Sequence, residues 1–115
     1  MKKLFPIVIL TLLISCKNSN KTSPPSIEQL INKGQAYLKN NQIDSANITF
    51  QKAVELNPNM PDGHYGLGVA KAILCYQIKG GCNDAIKHLK KADDIVAGFR
   101  KTYFNIGTCY IALEE

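Results

Sequence analysis

Apolar and polar positions divide the 115-residue chain into three segments. An apolar run covers residues 4–14, and a stretch without any large apolar side chain follows at 17–25. From residue 26 onward, apolar side chains recur at the three- and four-residue spacing that is typical of amphipathic helices. Together with the start and stop signals below, this spacing predicts five helices, near 27–39, 43–56, 62–78, 83–96 and 100–113.

Two local signals support the first helix boundaries. Ser26 and Gln29 follow two prolines and form the sequence of a capping box, which predicts a helix start. Pro58 cannot continue a helical hydrogen-bond ladder and biases Asn57 away from helical dihedrals. The second helix is therefore expected to end just before Asn57-Pro58.

The N-terminal segment has the features of a secretory signal. Its apolar run holds eleven residues and follows Met1-Lys2-Lys3, whereas a membrane-spanning helix needs about 20 residues. The sequence Leu13-Ile14-Ser15-Cys16 resembles the lipobox of bacterial lipoproteins. That resemblance implies cleavage before Cys16 and modification of its thiol with diacylglycerol, whereas the alternative is an ordinary signal. We therefore expect a signal peptide at 1–15, a lipidated cysteine and flexible tether at 16–25, and a folded domain at 26–115.

The charge of the chain does not indicate a nucleic-acid partner. Loss of Lys2 and Lys3 with the signal lowers the formal charge from +5 to +3. The one basic cluster, Lys87, Lys90 and Lys91, has the spacing of a solvated helix face. No aromatic residues alternate with these lysines, so we expect no nucleic-acid binding.

An internal repeat organises the folded segment. A Gly at 34, 68 and 107 follows a bulky residue, and an Ala at 46 and 85 is followed by a large apolar residue and a second Ala. These positions resemble the tetratricopeptide repeat, a 34-residue helix-turn-helix unit. Gly34 and Gly68 are 34 residues apart, while Gly68 and Gly107 are 39 apart. The longer spacing indicates an insertion of five residues in the second unit.

The resemblance implies an all-α fold, an α-α superhelix of about two and a half repeats. Its units are expected near 27–60, 61–99 and 100–115, with each Gly and each Ala at a close approach of two helices. A generic helical bundle is the alternative interpretation.

The sequence offers no constellation of residues for catalysis. His64 and His88 are its only histidines; the first occupies a packing position, and the second lies among lysines on an outer face. Gly80-Gly81 lacks the Lys-Ser or Lys-Thr of a phosphate loop, and the carboxylates are scattered. We therefore predict that the protein is not an enzyme and that it binds neither a cofactor nor a metal ion.

Three cysteines remain once Cys16 is assigned to the lipid. Seven residues of continuous helix would separate the Cα atoms of Cys75 and Cys82 by about 10 Å, which is too far for a disulfide. Gly80 and Gly81 lie between them and allow the chain to turn. One hypothesis is a Cys75–Cys82 disulfide that closes the inserted turn, and the other is three small buried thiols, Cys109 among them.

The resemblance also implies a binding groove, because the first helix of each repeat in this family lines a concave surface that receives peptides. The groove-facing spacing gives Ile31, Gln35, Leu38, Tyr65, Val69, Ala72, Lys101, Phe104 and Thr108. Of the clamp of lysine, asparagine and arginine residues that holds a peptide carboxylate in some relatives, only Lys101 and Asn105 remain here. A segment with apolar anchors therefore fits this groove better than a C-terminal carboxylate, although several of these side chains could instead pack within the stack.

The last predicted helix is apolar almost all the way round. Repeat arrays normally end in a helix with a polar outer face, whereas Phe104 and Ile111 would stand outside the stripe that packs on the preceding repeat. Either this face meets a partner or a second copy, or the chain is a shortened relative of a longer array.

The leading hypothesis from the sequence is a lipid-anchored adaptor of the bacterial envelope that binds another envelope protein or peptide segment through its groove. The alternative is a structural lipoprotein whose last helix makes homo-oligomers. Lys17 after the lipobox cysteine, rather than an aspartate, favours the outer membrane.

Overall fold

The computed structural model describes residues 23–78 and 80–114, which form a succession of α-helices. They are α1 (Ile27–Lys39), α2 (Ile43–Leu56), α3 (Pro61–Ile78), α4 (Cys82–Ile95) and α5 (Thr102–Glu114), with a short 3-10 helix at Phe99–Lys101. Within these two ranges there is no strand, and the predicted all-α fold is confirmed. The predicted signal peptide at 1–15, the predicted lipidation site Cys16 and the tether up to residue 22 lie outside the described residues.

Each helix contacts the next one along the chain, and the first helices of successive units also contact each other. The pairs α1–α2 and α3–α4 form two helix-turn-helix units, with α5 as the first helix of a third. None of the helices in the described part of the chain combines the length and the apolar character needed to cross a membrane.

The boundaries of the first repeat follow from local chemistry. The Ser26 hydroxyl accepts a hydrogen bond from the Gln29 amide at 3.2 Å, and the Gln29 side chain accepts one from the Ser26 amide at 2.9 Å. The predicted capping box is therefore present and satisfies two of the amides left free at a helix start. After α2, Asn57 is extended, with φ −147°, as expected for a residue that precedes proline.

The core of the first repeat is centred on Phe50, whose side chain is 1% exposed. A Cβ atom built on Gly34 of α1 would lie 2.6 Å from the Phe50 ring, and one on Gly66 of α3 would lie 2.3 Å from it. The ring is therefore held between two glycines, because any larger residue would overlap it. Leu89 of α4 packs against Gly68 of α3 in the same way, with a distance of 2.7 Å to a Cβ built there.

The inserted turn between α3 and α4 is closed by a disulfide between Cys75 and Cys82, whose Cα atoms are 5.1 Å apart. Gly81 has φ +80°, a conformation that glycine adopts without steric cost. Both cysteines are buried, as is Cys109, whose thiol is free. Lys71 of α3 also bridges to Asp84 of α4 at 2.9 Å, so two side-chain links join these helices.

The connection between α4 and α5 differs from the prediction, which began the fifth helix near residue 100. Arg100 and Lys101 both have positive φ, 43° and 57°, so α5 begins only at Thr102. The Asp93 carboxylate accepts a hydrogen bond from the Gly98 amide at 2.7 Å, which fixes the preceding turn. The short 3-10 segment therefore redirects the chain between the end of α4 at Ile95 and the start of α5 at Thr102.

Candidate interaction groove

The first helices of the units, α1, α3 and α5, contribute to two neighbouring depressions that together are the candidate interaction groove. The first has a volume of about 340 Å³ and lies between the start of α3, one face of α1 and the 3-10 segment. It is lined by Glu28, Ile31, Asn32, Gln35, Met60, Asp62 and Arg100. Its apolar floor and charged rim suit a segment that carries both apolar and polar side chains.

The second depression lies between α3 and α5 and has a volume of about 420 Å³. Its lining consists of Val69, Ala72, Ile73, Tyr76, Gln77, Asn105 and Thr108. No residue in this set carries a charge at neutral pH, and the apolar members come from one face of α3. This half of the groove therefore favours an uncharged, mostly apolar ligand segment.

Tyr65 lies where the two depressions approach each other. The ring of Phe99 makes an edge-to-face contact with it, with centroids 5.9 Å apart, and the Arg100 guanidinium lies 5.7 Å from its centroid. The Asn105 amide nitrogen donates to the Tyr65 hydroxyl at 3.5 Å. Three elements thus converge on one aromatic ring, which joins α3, the 3-10 segment and α5.

Arg100 is held over the groove by two kinds of contact. Its guanidinium pairs with the Asp62 carboxylate at 2.7 Å and lies over the rings of Tyr65 and Phe99. An arginine in the left-handed region is uncommon and unfavourable, so these contacts offset a backbone cost. Arg100 thereby forms the polar wall of the first depression.

The groove residues predicted from repeat spacing fall into three environments. Gln35, Val69, Ala72 and Thr108 line the depressions. Ile31 lines the first depression but is only 6% exposed and belongs to the core, and Leu38 packs against the same core. These two side chains therefore contribute to the core formed by α1, α2 and α3.

The other predicted positions lie nearer the rim. Tyr65 packs against the core of the second unit and contacts Arg100 rather than open solvent alone. Lys101 is exposed in the 3-10 segment, and Phe104 is 71% exposed on α5. Neither residue lines the two depressions.

Sequence reasoning missed Asp62, Phe99 and Arg100. Asp62 has no distinguishing pattern at the start of α3, and the other two belong to a connection whose course depends on two residues with positive φ. Only the uncommon clustering of an aromatic and a basic residue after Gly98 would have marked this segment.

A second feature, the contact between His64 and His88, lies away from the groove. His64 Nε2 donates to the Pro58 carbonyl at 2.7 Å, so in the neutral ring its Nδ1 is an acceptor for His88 Nδ1, 3.2 Å away. Burial lowers the pKa of His88, and the nearby Asp84 partly opposes this. The pair acts as a packed, hydrogen-bonded contact between α3 and α4.

The described residues contain no group of three or more His, Cys, Asp or Glu side chains placed to hold a metal ion. The buried Cys109 thiol has a raised pKa because desolvation disfavours the thiolate, which makes it a poor nucleophile.

Comparison with known proteins agrees with the helical repeat. Residues 34–72 match the family model described as a TPR repeat, a segment that runs from the middle of α1 through α2 into α3. No curated protein matches the chain. TPR repeats generally mediate protein–protein interaction and are typically non-enzymatic. The described residues therefore form an all-α helical repeat that is similar to TPR repeats.

Proposed function

We propose that this protein is a lipid-anchored adaptor of the bacterial envelope, which holds a partner protein at the membrane by binding one of its segments in the groove. The observation that carries the proposal is the pair of depressions along α1, α3 and α5. Their lining is apolar on the α3 side and charged near Arg100. Such a surface recognises a segment with apolar anchors in the second depression and a polar group in the first.

The anchor is supported by the sequence around Cys16. The apolar run and the lipobox-like Leu13-Ile14-Ser15-Cys16 would place the domain at a membrane surface, with the polar residues 17–25 as the tether. Anchoring raises the effective concentration of the domain near other envelope proteins, so a groove of modest affinity is sufficient. Lys17 after the cysteine favours the outer membrane.

The proposal is tested by site-specific photocrosslinking in cells. A photoreactive amino acid at Thr108, in the second depression, should give a defined crosslinked species. The same group at Ile48, which is exposed on α2 and lies outside both depressions, is the control and should not give that species. Val69→Arg should abolish the Thr108 crosslink, because a buried guanidinium fills and charges the apolar wall.

A parallel chain with Cys16→Ala tests the anchor. Loss of the lipid should move the protein from the membrane fraction and weaken the Thr108 crosslink. A crosslink that survives Val69→Arg would contradict the groove, and unchanged membrane retention of the Cys16→Ala chain would contradict the anchor.

A further inference from the structure

The three repeat glycines differ in what covers them. A Cβ on Gly34 would lie 2.6 Å from Phe50, and one on Gly68 would lie 2.7 Å from Leu89. In both cases the bulky side chain comes from the second helix of the same unit. A Cβ on Gly107 would meet no atom of the described residues within 4 Å. The surface of α5 therefore has an open notch where the two preceding first helices receive a side chain.

The notch is surrounded by exposed apolar side chains. Tyr103 is 67% exposed, Phe104 is 71% exposed and Ile111 is 60% exposed. Helical spacing places them, with Gly107 and Tyr110, on the side opposite the buried Thr102 and Cys109. This set of five residues is called the α5 face below. Glu114 is the single charged residue within α5.

A basic surface adjoins the α5 face. Lys87, Lys90 and Lys91 of α4 line a depression of about 660 Å³ that also includes Tyr110. Lys90 Nζ donates to the Tyr110 hydroxyl at 3.1 Å and lies 5.7 Å from the centre of its ring. Tyr110 therefore belongs to both surfaces and makes them continuous. Asp94 in the same depression offsets one of the three lysine charges.

We propose that the α5 face is a second docking site, distinct from the groove, for an acidic amphipathic helix of another protein. The helix places a bulky apolar side chain on Gly107, as Phe50 and Leu89 are placed on Gly34 and Gly68. Its acidic side chains lie along the edge that faces Lys87, Lys90 and Lys91. The notch at Gly107 fixes the position of the bulky apolar side chain. The lysines fix the orientation of the bound helix and favour acidic partners.

Charge also decides against a second copy of this chain as the occupant. Pairing two α5 faces would bring together two helices with one charged residue each, both flanked by the same three lysines. Neither α5 offers more than one described carboxylate, Glu114, to meet them. A helix from another protein with several acidic residues satisfies the surface that two copies would leave unpaired.

The probe for the test is a stapled, fluorescein-labelled peptide based on Ile43–Leu56, the helix whose Phe50 fills the notch at Gly34. Gln51→Glu and Lys52→Glu make it acidic, and the staple is needed because an isolated helix of this length is marginal. The full lipid-anchored chain is presented in phosphatidylcholine nanodiscs, with empty nanodiscs as background. Binding is measured by fluorescence anisotropy.

The acidic peptide should bind the full chain, and its Phe50→Ala form should bind at least about tenfold more weakly, the equivalent of about 1.4 kcal/mol. Gly107→Leu, which fills the notch, should weaken binding by a similar factor, and so should Lys87→Glu combined with Lys91→Glu. The matched control is Ile48→Ala in α2 of the full chain, which should leave the affinity for the peptide unchanged. Circular dichroism checks that each variant keeps its helical content.

Two results would overturn the proposal. One is an affinity of the peptide for the chain that changes neither with Gly107→Leu in the chain nor with Phe50→Ala in the peptide. The other is a crosslinked homodimer in proteoliposomes that Gly107→Leu and Ile111→Glu abolish, since this would identify a second copy as the occupant. Absence of any peptide binding counts as the first result.

Discussion

The first repeat and the last helix each contain a repeat glycine, but only the glycine of the first repeat is covered by another side chain of the described residues. Gly34 in α1 lies under the Phe50 ring, whereas none of the residues that the structure describes covers Gly107 in α5. Phe50 is almost fully buried, while Phe104, Tyr103 and Ile111 are mostly exposed. A glycine in a helix is unfavourable by itself, so it is useful only where another helix takes up the space. Within the described residues, the glycine of α1 is therefore matched by a packed ring, whereas the glycine of α5 is not.

The largest expected effect comes from removing the side chain that completes the first repeat. Phe50→Ala should lower the free energy of unfolding by about 3–5 kcal/mol, because it leaves a cavity between α1, α2 and α3. Ile111→Ala, on the exposed α5 face, should change it by less than about 0.5 kcal/mol. Urea denaturation followed by circular dichroism gives both values. Similar losses for the two variants would show that α5 is packed in solution. If Phe50→Ala does not fold, Phe50→Leu provides the smaller, measurable loss.

Replacing the glycines by alanine should change the free energy of unfolding in opposite directions at Gly66 and Gly107. Gly66→Ala would place a methyl group 2.3 Å from the Phe50 ring, and such overpacking costs about 1–3 kcal/mol. Gly107→Ala should instead raise the free energy of unfolding by up to about 1 kcal/mol, since it gains helix propensity without a clash. Thermal and urea denaturation of the two variants, with Gly34→Ala as a second packed position, measure this difference. A destabilising Gly107→Ala would mean that the notch is already occupied by this chain.

The smallest expected effect is a pH dependence confined to the second unit. The pKa of His88 lies below its usual value because of burial, so the unfolded chain takes up a proton before the folded chain does. Stability should therefore be fully present above the ordinary histidine pKa of about 6.5 and should fall as the pH decreases below it. The His64 ring, whose Nδ1 lies 3.2 Å from His88 Nδ1, also contributes to the lowered pKa of His88.

The measurement is the melting temperature between pH 7.5 and 5.5 for the wild type and for His88→Gln. The variant should show a shallower decrease over this range. The dependence of the Phe50→Ala variant on pH should equal that of the wild type, because the first repeat contains no histidine. An increase in melting temperature on acidification would contradict the assignment.

The sequence predicted the helices because their signals are local. The capping box at Ser26, the stop at Pro58 and the 34-residue spacing of Gly34 and Gly68 each depend on neighbouring residues or on a fixed period. The helices consequently lie within two residues of the predicted ranges. The all-α class followed from the same signals.

The groove was predictable only in part, because its geometry depends on contacts between distant residues. Val69 and Thr108 face the second depression, as their repeat positions imply. Phe104 does not line it and is 71% exposed instead. The bridge from Arg100 to Asp62 spans 38 residues, and no local pattern indicates such a pair.

The burial of Phe50 between Gly34 and Gly66 has a consequence for how the array unfolds. In repeat proteins, stability is the sum of the intrinsic stabilities of the units and the coupling between neighbours. The Phe50 ring contributes to both the intrinsic stability of the first unit and its coupling to the second. It fills the interior of the first unit and also contacts α3, the first helix of the second unit. The first unit is therefore unable to melt without releasing α3. The cooperative segment runs from α1 to α3, and any chimera that exchanges repeats should be joined after α3 rather than at Pro58.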